Sequence, residues 1–166
     1  NYPHLCEAGV NFNFNEHNIL KPDFTKPMLP HFELDNNVII FSLFPGIEEH
    51  LIHHMFDAPE LRSIVMRSYG SGNAPQQPWL MNLLRKVTER NVIVVNISQC
   101  ISGQVEMNRY DTGFQLKDAG VISGYDSTVE AAVTKLMYLQ AKYNDTETIR
   151  KYMNQSIAGE ITIYNW

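Results

Sequence analysis

The residues best suited to chemistry fall in two loops, each directly after a short apolar run. The first, Arg67-Ser-Tyr-Gly-Ser-Gly72-Asn73-Ala-Pro75, leads into a helical pattern that begins near Trp79. Glycines there let the backbone approach a ligand closely, and the free N–H groups of the following helix favour an anion or a carboxylate. A dinucleotide fingerprint would need a third glycine where Pro75 stands, so a plain strand-to-helix turn explains the same residues equally well. The second loop, Asn96-Ile-Ser98-Gln-Cys100-Ile-Ser-Gly103, offers a hydroxyl and a thiol. A cysteine nucleophile needs a basic partner, yet His4, His17, His31, His50, His53 and His54 all precede the run that ends at Met66. Cys100 therefore reads first as a small buried thiol.

Other chemistries find no pattern. His50 and His54 share a helical face, but Glu49-His-Leu-Ile-His53 is not the order of a zinc protease and no third ligand is signalled, so no metal is expected. No nucleophile elbow, Walker A loop or deaminase zinc motif occurs, and no cofactor is expected. Cys6 and Cys100 lack any paired spacing, which gives a disulfide little support. Asn96-Ile-Ser98 fits a glycosylation sequon but sits at a strand end, where it reads as accidental.

The elements that must hold these loops follow from periodicity. The 166 residues suit one domain with a piece of another, and Asn1 is not an initiator methionine, so the chain reads as processed or as a piece of something longer. Residues 1–37 carry four of the eight prolines and one alternating stretch, Val10 to Phe14, which predicts a strand followed by a linker. From Val38 apolar runs alternate with helical patterns: runs at 38–44, 63–66, 91–96 and 121–122, helices near 47–56, 79–87, 112–118, 128–143 and 146–156. Ser127 and Glu130 form a capping-box spacing at the start of the long helix, and Gly159 is the expected stop of the last one. Strands without polar alternation, separated by helices, imply an α/β fold with a parallel sheet of about four strands and helices on both faces, doubly wound and Rossmann-like. In such a sheet ligands bind outside the carboxyl ends of the strands, where both loops lie.

Charge narrows the partners. Thirteen Lys+Arg against 18 Asp+Glu give a net charge of −5 without like-charged blocks, which disfavours nucleic acid and a polybasic membrane patch. The longest apolar runs fall far short of the ~20 residues that span a bilayer. A small ligand is the expectation.

The two loops, with Tyr110-Asp-Thr-Gly113, Ala119-Gly-Val-Ile-Ser-Gly124, Thr128-Val-Glu-Ala, Thr134-Lys-Leu and Asp145-Thr-Glu-Thr-Ile-Arg150, resemble the C-terminal part of the bacterial type I L-asparaginases. The opening Asn-Tyr-Pro-His-Leu-Cys-Glu-Ala-Gly9 resembles the end of that family's N-terminal domain, which divides the chain into 1–37, tail and interdomain linker, and 38–166, the C-terminal α/β domain. The resemblance implies hydrolysis of L-asparagine to L-aspartate and ammonia, without metal or cofactor, by a threonine nucleophile. Neither the Thr-Gly-Gly-Thr nor the His-Gly-Thr-Asp-Thr motif of that machinery occurs in this sequence, so the catalytic threonine belongs to a missing N-terminal domain and the isolated chain is expected to be inactive.

By the same resemblance Asn73 reaches the active site of an adjacent subunit, Tyr110 lies near that site, and Arg67, Gly72, Ser98 and Cys100 form an effector site for asparagine. The guanidinium of Arg67 would fork a ligand carboxylate; pairing with a local acid is its plain alternative. A cytoplasmic dimer or tetramer is implied too. Two rivals share these features: the ammonia-releasing subunit of a glutamyl-tRNA amidotransferase, and a non-catalytic amino-acid-sensing domain.

Overall fold

The computed structural model describes residues 3–108 and 111–163. Its centre is a four-stranded parallel sheet in the order β3 (Val38–Ser42), β4 (Ser63–Ser68), β5 (Ile93–Ser98), β6 (Ile122–Ser123). Register is continuous from Ser42 beside Arg67 to Ser68 beside Ser98. The helices α1 (Glu49–Phe56), α2 (Pro78–Glu89) and α3 (Asp111–Asp118) connect these strands and bury Ile52, Phe56, Leu80, Leu84 and Leu116 against Ile64, Met66 and Val94. The opposite face, with Val65, Ile93, Val95 and Ile97, is covered by α4 (Val129–Lys142) and α5 (Thr146–Met153).

Helices lie on both faces, as periodicity requires of strands that are apolar throughout. The winding differs from the expected double winding. Strand order is monotonic, so no reversal point lies within the sheet, and the second face is closed only by the two helices that follow the last strand. The site must therefore be built from loops at the strand ends, without a topological switch crevice.

Three local expectations need correction. Val10–Phe14 is not a lone half-buried strand: β1 (Cys6–Ala8) and β2 (Phe12–Phe14) form an antiparallel hairpin whose Val10, Phe12 and Phe14 are all exposed. The cap of α4 is Thr128, whose hydroxyl accepts from the Ala131 amide, one residue beyond the expected Ser127. Helix α5 ends at Met153 rather than Ser156, and Gly159 turns the tail beyond it with φ of +83°.

The buried stripe of α4 also runs further round than its apolar residues suggest. Lys135 and Gln140 are buried with Ala132, Leu136 and Leu139, Lys135 with partners inside and Gln140 with a partner at its oxygen but none at Nε2 among the described residues. Lys135 Nζ meets Glu160 and the carbonyls of Met153 and Gln155, while Gln140 accepts from Ser63 Oγ at 3.3 Å. The segment before β3 is tied to this helix: the Asp35 amide donates to the Met137 carbonyl at 3.0 Å, and Asp35 pairs with Arg62 at 2.7 Å.

Candidate functional site

The loop after β4 closes on itself. Tyr69 N–H donates to the Asn73 carbonyl and Asn73 N–H donates back to the Tyr69 carbonyl, both at 2.8 Å, so Gly70, Ser71 and Gly72 form a tight protrusion at the carboxyl edge of the sheet. Gly72 has φ of +103°, and a Cβ there would lie 2.8 Å from Val105 Cγ1, so only glycine fits without distortion. Asn96 holds the loop from below. Its side chain is fully buried and donates from Nδ2 to the Gly72 carbonyl at 3.0 Å. A buried asparagine with that task is closed to glycosylation, in keeping with the sequon's position.

Asn73 is partly exposed on this loop, with its Oδ1 accepting from Thr112 Oγ1 at 2.9 Å. Thr112 belongs to the first turn of α3. Tyr110 lies outside the described residues.

The second loop is stitched to the first. Gln99 Nε2 donates to the carbonyls of Leu43 and Arg67, at 2.6 and 2.9 Å, which joins the ends of β3 and β4. Ser98 Oγ donates to the Gly70 carbonyl and accepts the Cys100 amide at 3.0 Å. Strand pleating puts Ser98 on the face of Asn96 and Arg67 on the face of Val65 and Ile97. The Ser98 hydroxyl is thus a clamp between the two loops and is turned away from Arg67. Arg67 is half-buried with its Nε wholly enclosed and without a partner among the described residues. No local acid engages it among those residues, so the plain alternative of a loop-stabilising ion pair finds no partner there. Cys100 is exposed rather than buried, and both cysteines are free.

His50 and His53 spend ring nitrogens on carboxylates of their own segment: His50 on Glu48, His53 on Glu49 and Asp57, at 3.2–3.3 Å. These are the contacts of a solvated helix face. Beside the Asn73 loop, Phe44, Ile47, Tyr69 and Pro75 line a crevice of about 320 Å³. A larger cavity of about 400 Å³ is lined by helix residues such as Glu49, Trp79 and Arg85, none from either loop, and has no bearing on this edge.

Asn96, Gln99 and Thr112 escape reading from the sequence. Asn96 left a signal, a carboxamide inside an otherwise apolar strand; Gln99 and Thr112 left none, because their roles rest on partners 32 and 39 residues away.

Residues 37–153 match the glutaminase/asparaginase C-terminal domain. The chain belongs to that family. It is similar to L-asparaginase 1 of Escherichia coli, 39% identical over 170 residues, with 98% of this chain and 47% of the relative covered. It is also similar to one component of the glutamyl-tRNA(Gln) amidotransferase of Methanobrevibacter smithii, 39% identical over 157 residues, covering 95% of this chain and 34% of that relative. The crystal structure of L-asparaginase I from Vibrio cholerae superposes with a TM-score of 0.90 at 37% identity, covering 98% of this chain and 49% of that one. The chain spans about half the length of the L-asparaginases it matches. Among the described residues no helix is long and apolar enough to cross a membrane. The asparaginase C-terminal domain thus carries its distinctive polar loops at one sheet edge, stitched together by Asn96, Ser98 and Gln99.

Proposed function

We propose that the full-length protein hydrolyses L-asparagine to L-aspartate and ammonia, with this chain as its smaller C-terminal domain. Water adds across the amide: the C–N bond breaks, oxygen enters the new carboxylate and nitrogen leaves as ammonia. One observation supports the reading above others. A chain alike to L-asparaginases over 98% of its length presents, at the carboxyl edge of its sheet, a loop closed between Tyr69 and Asn73 that holds a carboxamide partly exposed.

In this reading Asn73 of one copy enters the active site of a neighbouring copy in a cytoplasmic dimer or tetramer, with Tyr110 nearby. Residues 1–37 are the tail of the N-terminal domain and the linker, and the nucleophilic threonine lies in that domain. Arg67, Gly72 and Cys100 serve an effector site for asparagine, which the unpartnered Arg67 Nε supports; Ser98 contributes by holding the loop.

Ammonia release tests the reading. Turnover of asparagine by the full-length protein, with none by the 166-residue chain, is the expected result; no release by the full-length protein, or robust release by the chain alone, overturns it. The likeness to the amidotransferase component favours a second reading. Glutamine-dependent amidation of glutamyl-tRNA by the full-length protein with its partner subunit, and poor use of free asparagine, would select that one.

A further inference from the structure

We propose that Thr112 is a positioning residue that sets which end of the Asn73 carboxamide faces a ligand, so that Asn73 serves as an N–H donor to a ligand oxygen. The inference rests on the asparaginase reading of Asn73 and deepens it. A carboxamide can present either a donor or an acceptor, and the two ends recognise opposite chemistry.

The Thr112 hydroxyl makes one hydrogen bond among the described residues, to Asn73 Oδ1 at 2.9 Å. Were the amide reversed, Nδ2 would donate to the hydroxyl and the Thr112 proton would have to turn to solvent, which the half-buried side chain meets on one side only. With the oxygen taken, Nδ2 is the free end of a partly exposed side chain and has no partner among the described residues.

The support behind each partner is stiff. Asn73 is locked by its reciprocal backbone pair with Tyr69, and the loop is gripped by Asn96. Thr112 is followed by Gly113, which is buried so close to the Met107 backbone that a Cβ would fall 2.3 Å from its carbonyl oxygen. The first turn of α3 lies against the Met107 backbone only because residue 113 has no side chain. Two elements, their partners 39 residues apart in sequence, thus meet through one side-chain bond among the described residues. A ligand oxygen, carboxylate or carbonyl, then meets a donor already oriented, which lowers the cost of binding it.

The test is a kinetic cycle in the full-length protein with asparagine as substrate. Thr112→Val keeps shape and removes the hydroxyl; it should lower kcat/KM about tenfold, while Thr112→Ser stays within about twofold of the parent. Asn73→Ala should lower kcat/KM by about tenfold to a hundredfold, and adding Thr112→Val to it should cost nothing more, because the bond being removed no longer exists. Asn73→Asp should be at least as damaging as Asn73→Ala, since a carboxylate accepts from Thr112 but opposes a ligand oxygen. If Thr112→Val destabilises the fold, Thr112→Ala, which also lacks the hydroxyl, takes its place in the cycle. Parent-like activity of Thr112→Val with an impaired Asn73→Ala overturns the inference and leaves the asparaginase reading standing. Multiplying losses in the double variant, or an active Asn73→Asp, also overturn it. A fully active Asn73→Ala overturns the inference together with the placement of Asn73 in the active site, and leaves asparagine hydrolysis standing.

Discussion

The Lys135 ammonium lies 2.6 Å from the Glu160 carboxylate with only 3% and 11% of the two side chains exposed, so the tail beyond α5 is fastened to α4 by a buried ion pair. Two backbone carbonyls, of Met153 and Gln155, also accept from Lys135, while the Ile157 and Ala158 amides donate to Glu160. Burial pulls the Lys135 ammonium below the ordinary lysine value, with the Glu160 carboxylate opposing that pull.

Breaking this pair from one side should be costly. Glu160→Gln keeps an acceptor for the tail amides but leaves the ammonium without a counter-charge, and should lower unfolding free energy by about 3 kcal/mol. Lys135→Met in the same chain should recover part of that loss. Urea denaturation of the single and double variants checks both statements; a double variant that loses the sum of two large single effects would contradict the stranded-charge explanation.

Acid should weaken the fold below about pH 4. Burial would raise the carboxyls of Asp35 and Glu160, but the Asn37 amide with Arg62, and Lys135 with the tail amides, outweigh it and hold both below the usual carboxylate range. A carboxyl depressed in the folded state contributes stability above its unfolded pKa and loses it as pH falls through the folded value. Thermal unfolding between pH 6 and pH 2 should show a falling midpoint, and the fall should be shallower in Asp35→Asn, whose parent-like slope would remove Asp35 from the account.

Gly72→Ala should cost about 1–3 kcal/mol through positive φ alone, with the 2.8 Å approach to Val105 adding to it. Because the strained residue adjoins Asn73, activity of the full-length protein should fall with stability. An unchanged melting midpoint would contradict both the backbone strain and the clash with Val105.

Arg67 and Ser98 should separate by phenotype. Under the effector reading, Arg67→Met flattens a sigmoidal dependence of rate on asparagine with little change in melting, since its enclosed Nε has no partner to lose among the described residues. Ser98→Ala removes the clamp to Gly70 and Cys100, and should lower stability by about 1 kcal/mol. A hyperbolic rate curve in the parent protein, or an unaltered sigmoid in Arg67→Met, removes Arg67 from the effector role.

Periodicity alone determined the parallel sheet, because Val38–Phe41, Ile64–Met66 and Val92–Val95 are apolar on consecutive positions and such strands are characteristically covered on both faces. The position of the polar loops at the carboxyl edge followed from the same pattern. Lys135 and Gln140 were illegible as core residues, since Lys135 becomes buriable only when the distant Glu160 arrives to pair with it, and the Gln140 side chain is held, among the described residues, by Ser63 at its oxygen alone. The hairpin of Cys6–Ala8 with Phe12–Phe14 was half legible: alternation continued from Val10 to Phe14 marked one strand, while the equally short partner has no such extended alternation around it.

Ser98 shows the limit most clearly. Its sequence distance from Arg67 put both at neighbouring strand ends, yet pleating and the carbonyl of Gly70 turned the hydroxyl to the other face. Local sequence determines which residues reach the edge of this sheet, because strand and helix periods are short-range properties of the chain. Which way Asn73, Thr112 and Ser98 point once there was decided only by tertiary contact, because each orientation is set by a donor or acceptor contributed from another element.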